Sequence, residues 1–163
     1  MTTLPNRPRV IGVISDTHGL LRLDVHDALA GVELILHAGD VGGDEILDEL
    51  ELIAPVRAVY GNTDAPGQPR LHEAIEVAIG GVSIHVSHGH ELGSPTPAKL
   101  LESYAADVLV YGHTHRPLIT KADGRLVLNP GAAGPRRFDI LPSVARLTIA
   151  NGQAEAELIA LRA

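Results

Sequence analysis

The segment Val110-Tyr111-Gly112-His113-Thr114-His115-Arg116 places two histidines one residue apart, directly after an apolar stretch. In extended backbone, residues i and i+2 project to the same side, so His113 and His115 can reach one point together. Neutral imidazole is the commonest protein ligand for a transition metal. One such pair, taken alone, is more often a surface feature than a site. Other apolar stretches end in the same manner. Asp16 and His18 follow Arg9–Ser15, Asp40 follows Leu34–His37, Asn62 follows Val56–Val59, and His88 follows Val82–Ser87. Each group includes or adjoins a glycine, which permits tight turns and close backbone approach. Singly, Asp16 or Asp40 reads as a helix cap, Asn62 as a turn residue, and each histidine as a loop residue. Seven such side chains at successive strand ends read together as a metal pocket.

The elements that must position them follow from the apolar pattern. Arg9–Ser15 is a near-continuous apolar run, as expected of a strand buried on both faces. A helix is predicted over Leu23–Ala30, with Val25, Ala28 and Leu29 inward and His26 on the surface. Leu34–His37 is the next strand. Gly42-Gly43 then leads into a helix over Asp44–Ile53, with Asp44 and Glu45 well placed in its first turn. Val56–Val59 is a third strand. This alternation implies a parallel sheet with right-handed crossovers, whose sites gather at the carboxyl ends of the strands.

Hairpins then take over. Gly80-Gly81 joins Ala74–Ile79 to Val82–Ser87. A two-residue loop pairs Val77 with Ile84 and Ile75 with Val86, and sets Glu76 opposite His85, predicted as a surface residue on a half-buried strand. A helix over Ser94–Tyr104 leads to the strand Val108–Tyr111. Asp123-Gly124 joins Leu118–Ala122 to Leu126–Asn129, and Asn151-Gly152 joins Val144–Ala150 to Gln153–Leu161, with Arg146 facing Glu157. The expected architecture is α/β (α+β): two mixed β-sheets packed face to face with helices outside, over residues 1–163 as one domain.

Composition narrows the function. The 163 residues are 45% hydrophobic but only 2% aromatic, so Val, Ile, Leu and Ala must build the core. No apolar run approaches the ~20 residues of a membrane span, and Met1–Arg9 lacks a signal peptide's apolar region. A soluble, cytoplasmic protein is expected. The absence of cysteine excludes disulfides, zinc–thiolate sites and a cysteine nucleophile. A metal must therefore sit on His, Asp, Glu or Asn. A formal charge of −7 without a basic run argues against tight binding to a nucleic-acid polymer.

Asp16-x-His18, Gly39-Asp40, Gly61-Asn62-x-Asp64, His88-Gly89-His90 and Gly112-His113-x-His115 occur in that order. The series resembles the motifs of calcineurin-like metallophosphoesterases. The short chain and Asn129-Pro130-Gly131 resemble the small prokaryotic phosphodiesterase branch. The resemblance runs from Val10 to Arg137 and implies a four-layer αββα sandwich. It further implies two divalent metal ions, Mn2+ foremost, with Fe, Zn, Ni or Co compatible with mixed N and O ligands. By motif, Asp16, His18 and His115 would hold the first ion, and Asn62, His88 and His113 the second. Asp40 would bridge them. The implied activity is hydrolysis of a small phosphoester, a diester before a monoester, by in-line attack of a metal-bridging hydroxide. The implied catalytic residues are Asp40, Asn62, His90 and Asp64, and those meeting substrate are Asn62, Arg136 and Arg137.

One departure stands out. Many larger relatives carry a histidine after the motif asparagine that assists the leaving group; this chain has Thr63. Leaving-group protonation then falls to metal-bound water, His90 or Asp64, and activated esters are the expected substrates. His37 reads as a packed strand-end residue, and His72 as surface. A phosphomonoesterase is one alternative. A metal-free interaction scaffold of the same fold is another, which loss of ligands would favour and their presence disfavours. A homo-oligomer is compatible with the sequence.

Overall fold

The strand Arg9–Ile14 (β1) has Ile11 and Val13 facing one way, toward a second sheet, and Val10 and Ile14 facing the other, toward helices. Burial on both sides explains why the run shows no polar alternation. The computed structural model of the chain describes residues 7–137 and 139–162. β1 pairs in parallel with Leu34–His37 (β2), which pairs in parallel with Val56–Val59 (β3). Leu71–His72 (β4) adds a two-residue parallel edge. On the other side of β1 lie Ser143–Ala150 (β10) and Gln153–Ala160 (β11), both antiparallel. The first sheet thus runs β11-β10-β1-β2-β3-β4.

The second sheet comprises Ile75–Ile79 (β5), Val82–Val86 (β6), Val108–Val110 (β7), Leu118–Ala122 (β8) and Arg125–Asn129 (β9). Its order is β5-β6-β7-β9-β8, with β6, β7 and β9 parallel. The Gly80-Gly81 and Asn151-Gly152 hairpins hold the expected registers, Val77 opposite Ile84 and Arg146 opposite Glu157.

Between the sheets Ile11, Leu36, Ile84, Val110, Leu128 and Leu147 form one apolar core. Outside the first sheet, Val25–Ala28 (α1) and Asp44–Glu51 (α2) bury Val25, Ile46, Leu47 and Leu50. Outside the second, Pro97–Ser103 (α3) buries Leu100 against Leu109 and Val127. The layers run helix, sheet, sheet, helix.

Three local expectations need correction, and one short strand, β4, was not expected. α1 is one turn long rather than spanning Leu23–Ala30. Its N-cap residue Asp24 makes no capping bond, because its carboxylate accepts from Arg162 N at 2.7 Å. α3 starts later than Ser94, at Pro97, where the Thr96 hydroxyl accepts from Lys99 N. β4 is too short for an alternating pattern to show. His85 is 2% exposed, not a surface residue, because the Tyr104 ring stacks on it at 3.8 Å as the chain after α3 covers that face. Among the described residues, no helix is long and apolar enough to cross a membrane.

Candidate metal centre

β1, β2 and β3 end side by side in one sheet, and β6 and β7 end side by side in the other. The loops leaving these five ends carry Asp16 with His18, Asp40, Asn62, His88, and His113 with His115. Backbone bonds clamp the first two loops, Asp16 N to Gly39 O at 2.9 Å and His18 N to Asp40 O at 3.0 Å. A third, Gly112 N to His88 O at 2.9 Å, ties the other pair. The approach is close enough that a Cβ on Gly61 would run into Asp40 Oδ1, and one on Gly112 into the Ser15 hydroxyl. Asp16, His18, Asp40, His113 and His115 all adopt left-handed backbone, with φ between 47° and 70°. Non-glycine residues seldom do so, and such conformations gather at functional sites.

Each carboxylate has one oxygen committed and one presented. Asp16 Oδ2 accepts from the Ser15 hydroxyl at 2.6 Å and from His113 N at 3.2 Å. Its Oδ1 faces His115 Nε2 at 3.3 Å and His18 Nε2 at 3.6 Å. Asp40 Oδ1 accepts from Thr63 N at 2.9 Å. Its Oδ2 lies 3.2 Å from His88 Nε2 and 3.7 Å from His18 Nε2. Asn62 Oδ1 stands 3.1 Å from both His88 Nε2 and His113 Nδ1. The side chains thus form two groups, Asp16–His18–His115 and Asn62–His88–His113, with Asp40 Oδ2 reaching toward both.

The charges respond to this crowding. Burial alone would raise the Asp16 carboxyl, but the imidazoles of His115 and His18, with His88 and the Ser15 hydroxyl, hold it far below the usual range. Asp40 is likewise brought down to about 2, against burial, by His88 and the Thr63 amide. His18 is raised, chiefly by Asp16. His88 is raised by Asp40 and Asp16 in spite of burial. His113 is lowered by burial and by the neighbouring His88. Asp16 Oδ1 and His18 Nε2 are buried with no hydrogen-bond partner, although they face the same spot as His115 Nε2. Buried polar atoms without partners call for an explanation, and an ion is one. Neutral imidazoles and single carboxylate oxygens at such spacings suit hard-to-borderline divalent cations.

The other expected residues divide by position. The Asp64 carboxylate accepts from Val41 N at 3.0 Å, Gly42 N at 3.1 Å and Gly61 N at 2.8 Å, so it fixes the loops that carry Asp40 and Asn62. The His90 ring lies 5.3 Å from that of His88 and 6.4 Å from that of His113, at the rim. Arg136 and Arg137 are exposed and line a shallow cleft with His115, and the Arg137 charge reaches His18. His37 is fully buried at its strand end, and His72 is exposed. Sequence reasoning missed Ser15 as the anchor of Asp16. It also missed Asn129 as a holder of the histidine loop, where Nδ2 donates to Gly112 O at 3.2 Å and to the Thr114 hydroxyl at 3.0 Å. The Asn-Pro-Gly turn was the available signal for the second.

Residues 10–152 match the calcineurin-like phosphoesterase superfamily domain. A probable metallophosphoesterase of Methanothermobacter thermautotrophicus is 40% identical over 164 residues, covering 92% of this chain and 91% of the relative. A phosphodiesterase of Methanocaldococcus jannaschii is 31% identical over 139 residues, covering 74% of this chain and 82% of the relative. Among solved structures, Vps29 of Entamoeba histolytica complexed with zinc superposes with a TM-score of 0.75 at 26% identity, covering 93% and 98% of the two chains. The two sheets, the ordered motifs and these matches define a metal-dependent phosphoester hydrolase. The chain belongs to the calcineurin-like phosphoesterase superfamily.

Proposed function

We propose that the chain is a phosphodiesterase that works with two divalent cations, Mn2+ in preference to Fe, Zn, Ni or Co, and that residues 1–163 form one domain around them. Asp16, His18 and His115 hold the first ion, Asn62, His88 and His113 the second, and Asp40 stands between. The observation that carries this reading is the pair of partnerless buried atoms, Asp16 Oδ1 and His18 Nε2, aimed at one point.

Two ions, when bound, polarise the phosphoryl group and make water acidic enough to attack at neutral pH. The residues do the rest. Asp16 and Asp40 supply two negative charges among neutral donors, so the pocket keeps a net attraction for an anionic ester. Asn62 turns its carbonyl oxygen toward the histidines, which leaves its amide NH2 as a donor for a phosphate oxygen. Arg136 and Arg137 stand exposed beside His115, where guanidinium groups meet a phosphate well. His90, at the rim, is the side chain left to protonate the leaving group, since Thr63 offers only a weakly acidic hydroxyl and Asp64 is occupied by three amides. The diester preference draws on the Methanocaldococcus jannaschii relative named as a phosphodiesterase.

The test is a hydrolysis panel on metal-stripped protein, with bis-p-nitrophenyl phosphate, p-nitrophenyl phosphate and an alkyl diester, each with single metals restored. Mn2+ should restore cleavage of the activated diester above the monoester and the alkyl diester. Asp40→Ala and His88→Ala should lose it. Silence with every metal, or near-normal turnover in either variant, would refute the reading.

A further inference from the structure

Thr17 and His37 are both fully buried, and the chemistry above uses neither. Thr17 Oγ1 lies 2.7 Å from Val41 O and 3.0 Å from His37 Nε2. A hydroxyl has one hydrogen and a carbonyl can only accept, so Thr17 donates to Val41 and accepts from His37. His37 Nε2 therefore carries the ring hydrogen. At the other end, Gly39 N donates to His37 Nδ1 at 3.1 Å, which requires a lone pair there. The two ends independently demand the same neutral tautomer. Burial, which pushes this imidazole down to about 4 against the pull of Asp16, Asp64 and Asp40, agrees with it.

Two of these contacts join the loop after β1 to the end of β2 and its loop, and the third ties Gly39 back to that same strand end. Thr17 sits between Asp16 and His18, at φ of 54° and 47°, and Gly39 precedes Asp40, at φ of 54°. Left-handed backbone in such residues persists only where the surroundings over-determine it. A charged side chain in place of His37 would alter the balance between two carboxylates and the ions they attract. A neutral imidazole links the loops without adding charge.

We infer that Thr17 and His37 are positioning residues, an uncharged brace that holds the backbones of Asp16, His18 and Asp40 in the geometry that binds metal. This rests on the metal centre proposed above.

The test uses the full chain, stripped of metal, with Mn2+ titrated by calorimetry and the melting temperature of the metal-free protein recorded alongside. Thr17→Val removes the hydroxyl but keeps the branched shape, and Thr17→Ser restores the hydroxyl. His37→Gln keeps an N–H donor where Nε2 stands but places no acceptor at the Nδ1 position that Gly39 N uses. Mn2+ affinity should fall about tenfold in Thr17→Val and His37→Gln, and Thr17→Ser should stay within about twofold of wild type. A role in stability alone would lower the metal-free melting temperature and leave affinity unchanged. Wild-type affinity in Thr17→Val and His37→Gln overturns the brace while leaving the metal centre standing. A wild-type chain that binds no Mn2+ overturns both. If His37→Gln does not fold, the Thr17→Val and Thr17→Ser pair decides.

Discussion

His88 donates its Nδ1 hydrogen to the Ala38 carbonyl at 2.8 Å, joining the end of one sheet to the end of the other. That bond leaves Nε2 as the atom facing Asp40 Oδ2 at 3.2 Å. Without a cation, Asp40 and Asp16 raise His88 in spite of its burial, and Asp16 raises His18, so both imidazoles hold protons more readily than usual. A metal must displace those protons. Mn2+ binding should therefore release protons and weaken as pH falls from about 8 to about 6, through the ordinary histidine range. Calorimetry in buffers of differing ionisation enthalpy measures this. Binding without proton release across that range would contradict it.

Gly61 permits Asp40 to sit where it does, since a Cβ would overlap Asp40 Oδ1. The neighbour is a short, anchored carboxylate, with Oδ1 already held by Thr63 N, so it cannot swing aside freely. Gly61→Ala should destabilise the fold by about 1–3 kcal/mol, the usual cost of overpacking. It should also reduce bound metal. Thermal melting and metal content after dialysis check the two effects, and an alanine variant with wild-type metal content would count against the assigned role of Asp40.

The depressed pKa of His37 gives the metal-free protein a pH signature. Its folded value is about 4 against 6.5 in the unfolded chain. Between those values the unfolded state binds more protons, so stability rises with pH and is lost progressively as pH falls from 6.5 to about 4. The full shift corresponds to about 3 kcal/mol. His113, also lowered, adds to the same trend. The raised His18 and His88 oppose it only at higher pH, and Asp16 and Asp40 act below the carboxylate range. Melting temperatures of metal-free wild type and His37→Gln from pH 7 to pH 4 should converge as pH drops. Parallel curves would remove His37 from the explanation.

Asp64 anchors three backbone amides with one carboxylate. Asp64→Ala leaves those donors without their partner, at about 1–3 kcal/mol for each one that water cannot reach. The expected result is a lower melting temperature and weaker metal binding together. Full retention of both, with only turnover lost, would instead restore Asp64 to direct proton transfer.

Much of the molecule could be read from residue types alone. Gly80-Gly81 fixes a two-residue loop, and that loop fixes every pair between β5 and β6. The convergence of the seven side chains at the strand ends was legible because Asp, Asn and His directly after successive apolar stretches stand out. Backbone donors carry no such mark, so the Thr63 amide on Asp40 left no trace in the sequence. The burial of His85 was equally hidden. Strand alternation reports which face a residue takes, but not that Tyr104, many residues later, returns to cover that face. β4 escaped for a simpler reason, since two residues cannot establish a period.

The seven side chains of the pocket come from loops of both sheets, Asp16, His18, Asp40 and Asn62 from one and His88, His113 and His115 from the other. A cation pair held by all of them would act as a rivet through the open rim of the sandwich. Chelation should then loosen that rim selectively, with faster amide hydrogen exchange at Gly39 and Gly112 while the apolar middle of β1 and β7 stays protected.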